Sequence, residues 1–226
     1  MCFSATGSFA ISGVLTAVGG ASIARNSSGP HRMFAAIPLI FAAQQAAEGI
    51  VWLTLTGVNA TLHRLAVAMF LAVALVVWPM WLPFALRLAE RNPARRRWLG
   101  VLAFIGGAVA VYTSVTLIRF QPTAHIAGHS IRYDYAIAGD TATHAFYLLA
   151  YALPTVAPFF VSTVKMARLI GVLLIVSLAV SVAVQRDALT SVWCFFAAIL
   201  SGLILLAVVR EQPARSVARS GRAERR

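Results

Sequence analysis

Apolar residues in this chain occur in long blocks that are separated by short polar breaks. Each block holds roughly 20 residues, the length that an α-helix needs to cross the hydrocarbon core of a bilayer. Little chain lies between the blocks, so the pattern predicts one all-α transmembrane bundle with short loops and no separate soluble domain. The seven predicted spans cover about residues 6–24, 33–56, 62–86, 98–119, 142–162, 167–185 and 190–209.

Two parts of the chain do not follow this pattern of short breaks. Residues 120–141 form one long break, and long connections within compact domains are often functional. Within it, the stretch from Ser130 to Ala138 is typical of a short strand or of an interfacial segment, because its two tyrosines suit the lipid headgroup level. Residues 210–226 are rich in Arg, Ser and Ala, and we interpret them as a disordered basic tail after a transmembrane domain of residues 1–209.

The charged residues predict how the bundle is oriented. Only 12% of the residues are charged, about half the share in an ordinary soluble domain. With the N-terminus outside, the segments 25–32, 87–97, 163–168 and 210–226 face the cytoplasm and hold 15 of the 19 basic residues. This positive-inside bias predicts an outer N-terminus and a cytoplasmic C-terminus. It explains the net charge of +12 without nucleic acid and favours anionic lipid headgroups as partners at the cytoplasmic face.

Five prolines fall inside the predicted spans, at Pro38, Pro79, Pro83, Pro154 and Pro158. Because proline has no N–H, each is expected to kink its helix and to free a backbone carbonyl. In a membrane, a neighbouring helix or an ordered water must then satisfy that carbonyl.

Glu48 is an acidic residue in the middle of the second predicted span. An ionisable group at that depth is costly unless it faces protein, water or an ion, so it is a functional-site hypothesis by default. Gln44, Glu48 and Trp52 recur every four residues on one helix face, and Gln45 lies beside Glu48. This face predicts a ligand, proton or ion site that opens outward, or alternatively a structural hydrogen-bond network. Arg64, at the outer end of the third span, is the expected partner of Glu48 in a buried ion pair.

Two cysteines are predicted near the outer side of the membrane. Removal of Met1 would place the thiol of Cys2 beside a free amine, which is the arrangement of a nucleophile with its own base or of a soft metal ligand. Cys194 lies in the outer part of the seventh predicted span. The two cysteines predict a disulfide or a shared metal site, unless Cys194 is simply a small core residue.

The start of the chain resembles a known family. The first nine residues read MCFSATGSF, and residues 44–49 read QQAAEG. Together they resemble an uncharacterised family of bacterial membrane proteins whose members begin MCFSATASF, so that Gly7 here replaces an alanine. The resemblance covers about residues 1–55. It implies a location in a bacterial inner membrane but no activity. It indicates that Cys2 and Glu48 belong to the features that define the family.

A histidine adds to the groups that are predicted on the outer side. His144 opens the fifth predicted span, and Tyr147 and Tyr151 continue on its face as candidate ligand contacts. Thiolate, imidazole and carboxylate together suit zinc or copper, whereas a histidine of this kind alternatively bonds to loop carbonyls. The candidate metal ligands are Cys2, Glu48, His144 and Cys194.

Several classes of protein are excluded by motifs that the chain does not contain. The sequence has no HExxH, GxSxG or phosphate-binding loop, and its seventh predicted span has no lysine for a retinal Schiff base. Three hypotheses stay open. The first is a metal-binding protein or membrane-embedded enzyme in which Cys2, Glu48 and His144 carry the chemistry. The second is a small-molecule or proton-coupled transporter that uses Glu48. The third is an accessory subunit whose polar face meets another protein or a second copy of the chain.

Overall fold

The computed structural model describes residues 4–25, 31–57, 59–136, 141–164, 166–184, 201 and 203. Within these ranges the chain is mostly helical, with one short β-hairpin. In chain order, the elements are α1 (Ala5–Arg25), α2 (Arg32–Ala35), α3 (Ile37–Thr54), α4 (Ala60–Leu71), a π-helical segment (Ala72–Val77), α5 (Trp78–Ala89), α6 (Pro93–Arg119), β1 (Thr123–Ala127), β2 (Ser130–Asp134), α7 (Thr141–Val161) and α8 (Ala167–Val184).

Four helical stretches are long and apolar enough to cross a membrane. They coincide with the first four predicted spans and cover Ala5–Arg25, Arg32–Thr54, Ala60–Ala89 and Pro93–Arg119. α7 and α8 coincide with the fifth and sixth predicted spans and contain shorter apolar stretches. Apart from Ser201 and Leu203, the seventh predicted span at 190–209 and the predicted tail at 210–226 lie outside the described residues. The count of seven spans and the orientation therefore stay predictions.

α1 packs closely against α3 because small residues line their contact. A side chain at Gly19 would overlap α3, and a side chain at Gly49 would overlap the ring of Phe9. The hydroxyl of Ser12 donates to the carbonyl of Ala42 at 2.8 Å. Since position 9 meets 49 and position 12 meets 42, the two helices run antiparallel.

The third spanning stretch, Ala60–Ala89, changes its helical register in the π segment, which ends two residues before Pro79. The N–H of Trp78 bonds to the carbonyl of Val73, five residues back, so the helix is wider here by one residue. In this register the carbonyl of Ala74 faces Pro79, which has no N–H to donate. The hydroxyl of Tyr151 in α7 donates to the Ala74 carbonyl at 2.6 Å instead. A neighbouring helix thereby satisfies the carbonyl that the proline frees.

A second carbonyl is freed one turn later, in α5. Pro83 has no N–H for the carbonyl of Pro79, four residues earlier. α6 packs against that carbonyl through Gly106, where a Cβ atom would overlap it. Pro38 has a different role, because it lies in the first turn of α3, where a missing N–H costs nothing. The interruption predicted near it occurs as a break at Ala36, between α2 and α3.

The long break at 120–141 contains a β-hairpin, so the protein is mostly helical but not all-α. Its second strand lies in the stretch 130–138, where the sequence predicts a short strand or an interfacial segment. β1 and β2 pair antiparallel, with Thr123 opposite Asp134. Gly128 in the turn has a φ of 62°, which glycine adopts without steric cost. Tyr133 is buried and stacks on Phe70 of α4, with 4.4 Å between ring centroids. The hairpin covers the end of the bundle where α3 turns into α4, which we call the hairpin end. The opposite end, where α5 turns into α6 and α7 into α8, is the turn end.

Candidate functional site

Three polar side chains form a buried cluster in the middle of α3. Gln44, Gln45 and Glu48 are each 0% exposed. The side-chain nitrogen Nε2 of Gln45 donates to Oε2 of Glu48 at 3.4 Å, a contact that the helical spacing predicts. These three residues are the buried polar cluster.

Gln44 connects the buried polar cluster to the π segment. The indole N–H of Trp78, the residue that follows the π segment, donates to Oε1 of Gln44 at 3.0 Å. The Trp78 ring also stacks on Phe41 of α3, with 4.1 Å between centroids. The amide nitrogen of Gln44 is buried and has no hydrogen-bond partner within the part of the chain that the structure describes. Trp78 was not predicted as a site residue, although an indole N–H inside an apolar span is a signal that a partner is needed.

Tyr147 and Tyr151, the two predicted ligand contacts on the fifth span, lie on the buried face of α7. Tyr151 donates to the carbonyl of Ala74 in the π segment. The hydroxyl of Tyr147 shares a hydrogen bond of 3.0 Å with the hydroxyl of Thr113 in α6. These two bonds tie α7 to the π segment and to α6.

The other two predicted contacts lie nearer to the hairpin end. Trp52 is half-buried on α3, one turn beyond Glu48. Arg64 is exposed on α4, whereas Glu48 has no exposed surface. The buried ion pair that we predicted between Arg64 and Glu48 is therefore not formed, because Arg64 lies on the exposed face of its helix.

The residues proposed as metal ligands fall mostly outside the described structure. Cys2 and Cys194 are not among the described residues, and for His144 the structure describes only its place in the backbone of α7. Among the described residues, no group of three or more His, Cys, Asp and Glu side chains is arranged to hold a metal ion. The Gln45 side chain that contacts Glu48 is a neutral amide, which is a weak ligand for zinc or copper.

A family model with the description "Family of unknown function (DUF6629)" matches residues 1–220. The chain belongs to the DUF6629 family. The match confirms the resemblance of the first residues to an uncharacterised family and extends it to nearly the whole chain. No curated protein and no solved structure matches the chain.

Polar side chains at the hairpin end of the DUF6629 protein pair with one another locally. Nδ1 of His125 lies 3.0 Å from Oδ2 of Asp134, and the same carboxylate accepts from Nε of Arg132 at 3.1 Å. Nδ1 of His63 lies 3.0 Å from the hydroxyl of Thr54 at the end of α3. The His125 and Asp134 side chains are about half exposed, so this group forms a surface network and not a part of the buried polar cluster.

A second buried acid, Glu90, lies at the turn end and was not predicted as important. Its carboxylate accepts from the N–H of Asn92 at 2.9 Å and from the N–H and hydroxyl of Thr163 at 2.6 and 2.8 Å. Burial by itself raises the pKa of Glu90, but these donors and one more backbone N–H together hold the pKa below its ordinary value. Glu90 thus ties the α5–α6 turn to the α7–α8 turn as an ionised carboxylate. The sequence signal was an acid at the end of an apolar span, among arginines.

Proposed function

We propose that this DUF6629 protein is a carrier in the bacterial inner membrane that couples movement of a small molecule to protons, with Glu48 as the proton-binding group. The proposal includes seven spans, an outer N-terminus and a cytoplasmic C-terminus. Four helices of spanning length and the concentration of basic residues on one side support that topology.

The observation that carries the proposal is the complete burial of Glu48 among glutamine amides. A carboxyl inside a membrane span is costly to keep, and groups of this type serve as proton relays in pumps and transporters. The Gln45 amide donates to Oε2 of Glu48, and an amide can bond to either form of the carboxyl. A group of this kind can take up a proton from one side of a membrane and release it to the other.

The helical stretch that contacts the buried polar cluster is interrupted by the π segment, and a carrier needs a helix that can move near its binding site. The π segment changes register halfway along the third spanning stretch, and Trp78 at its end contacts Gln44. Interrupted helices near the middle of the membrane are common at the binding sites of secondary transporters. A change in the charge of Glu48 would act on Gln44 and Gln45 and, through Trp78, on the π segment.

Infrared difference spectroscopy of the purified protein in lipid vesicles tests the proton-binding role without knowledge of the substrate. We expect a carboxyl band from a buried glutamic acid that appears and disappears as the pH is changed. The band should be missing in Glu48→Gln and present in Glu90→Gln, which makes the same change at the turn end. A pH-dependent band that persists in Glu48→Gln, or none in the wild type, would contradict the proposal.

The metal-binding or enzymatic hypothesis is the second candidate, and one contact favours it. Phe9 near the start of α1 lies against Gly49, beside Glu48. Three residues link Cys2 to the start of α1 at Ala5, and at no more than about 3.6 Å per residue they can span about 11 Å. That length can reach back to the level of Phe9, about one helical turn along α1. Elemental analysis of the purified protein should then find zinc or copper in the wild type and less of it in Cys2→Ala. Equal occupancy in both would remove Cys2 as a ligand.

A further inference from the structure

Arg87 in the last turn of α5 lies against α6 at Gly100. A Cβ atom at Gly100 would lie 3.3 Å from Nε and 3.6 Å from Cζ of Arg87. Nε is buried and has no hydrogen-bond partner within the described residues, while the side chain as a whole is half-buried. The lack of a side chain at Gly100 therefore lets a guanidinium group lie at the surface between α5 and α6.

Two further arginines flank Gly100 on α6. Arg97 and Arg96 precede it by three and four residues, and residues at these spacings are neighbours on one helix surface, with Cβ atoms about 5–6 Å apart. Both arginines are exposed. Because the guanidinium of Arg87 contacts the Gly100 position, the long side chains of Arg96 and Arg97 can reach the same point from the adjacent turn.

The described part of the turn end offers no carboxylate to these three arginines. Glu90 is the acid that the structure describes there, and its oxygens accept from Asn92 and Thr163. Arg95 differs from its neighbours, because it donates to the carbonyl of Val161 at 2.8 Å. Positive groups that lie close together repel one another, so an anion from outside the chain would stabilise the arrangement.

The surface around Gly100 suits a lipid better than a phosphate ester in solution. Trp98, next to Arg97, is 66% exposed, and tryptophan is enriched at the level of lipid headgroups. Phe104 follows Gly100 by four residues, so it lies on the same face one turn further from the turn end, and it is 80% exposed. Arginines with an exposed aromatic ring one turn deeper match a lipid, whose acyl chains lie below its phosphate.

We propose that Arg87, Arg96 and Arg97 bind the phosphate of an anionic lipid headgroup, and that Gly100 positions Arg87 for this contact. Arginine binds phosphate oxygens through two parallel N–H bonds. The distribution of basic residues along the chain favours anionic lipids in general, whereas the contact at Gly100 selects three of the arginines at the turn end. The proposal goes beyond the carrier function and does not depend on Glu48.

Native mass spectrometry of the purified full chain in neutral micelles tests the proposal by counting the lipid molecules that stay bound. The probe is phosphatidylglycerol, and phosphatidylcholine, which has the same phosphate but no net charge, should bind more weakly. We expect phosphatidylglycerol to bind about tenfold more weakly to Arg87→Gln than to the wild type, since hydrogen bonds to a charged group are lost. Arg168→Gln is the matched control, because Arg168 is exposed at the same end on α8, and its affinity should stay close to that of the wild type.

Gly100→Leu tests the position of Arg87 without a change in charge. The new side chain would displace the guanidinium, so phosphatidylglycerol should bind more weakly. Gly107→Leu is its control, because a Cβ atom there would meet nothing within 4 Å. Thermal unfolding shows whether each variant is folded, and the double variant Arg96→Gln with Arg97→Gln, which changes only exposed side chains, should also bind the lipid more weakly.

Three results would overturn the proposal. Equal lipid binding by folded Gly100→Leu and wild type, or an equal loss in Arg168→Gln and Arg87→Gln, would mean that net charge alone attracts the lipid. Displacement of phosphatidylglycerol by an equal concentration of inorganic phosphate would mean that the arginines bind free phosphate and not a lipid.

Discussion

The indole N–H of Trp78 and the side-chain oxygen of Gln44 form a 3.0 Å hydrogen bond between two buried side chains on different helices. It joins the middle of α3 to the residue at which the π segment becomes α5. The Trp78 ring stacks on Phe41, so the same residue contributes packing and a polar bond to one contact.

We expect Trp78→Phe to lower the free energy of unfolding by about 1–3 kcal/mol more than Trp81→Phe does. The first change leaves the oxygen of Gln44 buried without a donor. Trp81 is the matched control because its indole N–H donates to the carbonyl of Met33 at a half-buried position. Denaturant or thermal unfolding in micelles, followed by tryptophan fluorescence, gives the comparison.

A double variant tests whether the hydrogen bond between Trp78 and Gln44 itself contributes to stability. When both partners of a buried hydrogen bond are replaced by apolar groups, the loss is smaller than the sum of the two single losses. The pair Trp78→Phe and Gln44→Leu should therefore cost less together than the sum of their separate effects. Strictly additive losses would mean that this hydrogen bond does not contribute to stability.

Gly106 and Gly107 are neighbours in α6, and the structure predicts opposite effects for the same substitution. A Cβ atom at Gly106 would overlap the carbonyl of Pro79, whereas a Cβ atom at Gly107 would meet nothing within 4 Å. We expect Gly106→Ala to lower the free energy of unfolding by about 1–3 kcal/mol, because α5 and α6 must separate. Gly107→Ala should raise it by about 0.5–1 kcal/mol through better helix propensity. A stabilising Gly106→Ala would show that the two helices are not in close contact there.

The spacing of apolar and polar residues predicted the positions of the helices but not all of their ends. α6 begins at Pro93, earlier than the predicted 98, because the side chain of Asn92 accepts from the N–H groups of Ala94 and Arg95 and caps the helix. α4 likewise begins at Ala60, after a cap by Asn59. Both caps can be predicted from the sequence, because Asn is a favoured N-cap residue. A hydropathy window alone leaves the polar first turn of a helix outside the predicted span.

The candidate site was predictable only as far as it lies on one helix. The contact of Gln45 with Glu48 follows from their spacing in α3. The prolines predicted that carbonyls would be freed. The partner of such a carbonyl, Tyr151 for Ala74, depends on how α7 packs against the π segment, and no local pattern encodes that. The same reason explains why the contact of Trp78 with Gln44 was not expected.

Glu90 gives a prediction for the pH dependence of stability. Its pKa in the folded protein lies below the ordinary value of 4.5, because backbone and hydroxyl donors outweigh the effect of burial. A carboxyl whose pKa is lowered by folding contributes stability above its unfolded pKa, and that stability is lost as the pH falls through the folded pKa. At neutral pH the contribution is therefore fully present.

We expect Glu90→Gln to lower the free energy of unfolding at pH 7 by about 1.5–3 kcal/mol, since hydrogen bonds to a charged acceptor are lost. The difference from the wild type should shrink as the pH is lowered below 4.5. Thr163→Val is the matched control, because it removes the hydroxyl donor at 2.8 Å and keeps the N–H donor at 2.6 Å, so its loss should be smaller. Thermal unfolding of the three proteins across this pH range gives the measurement. A constant difference between Glu90→Gln and wild type at every pH would mean that the charge of Glu90 does not hold the two turns together.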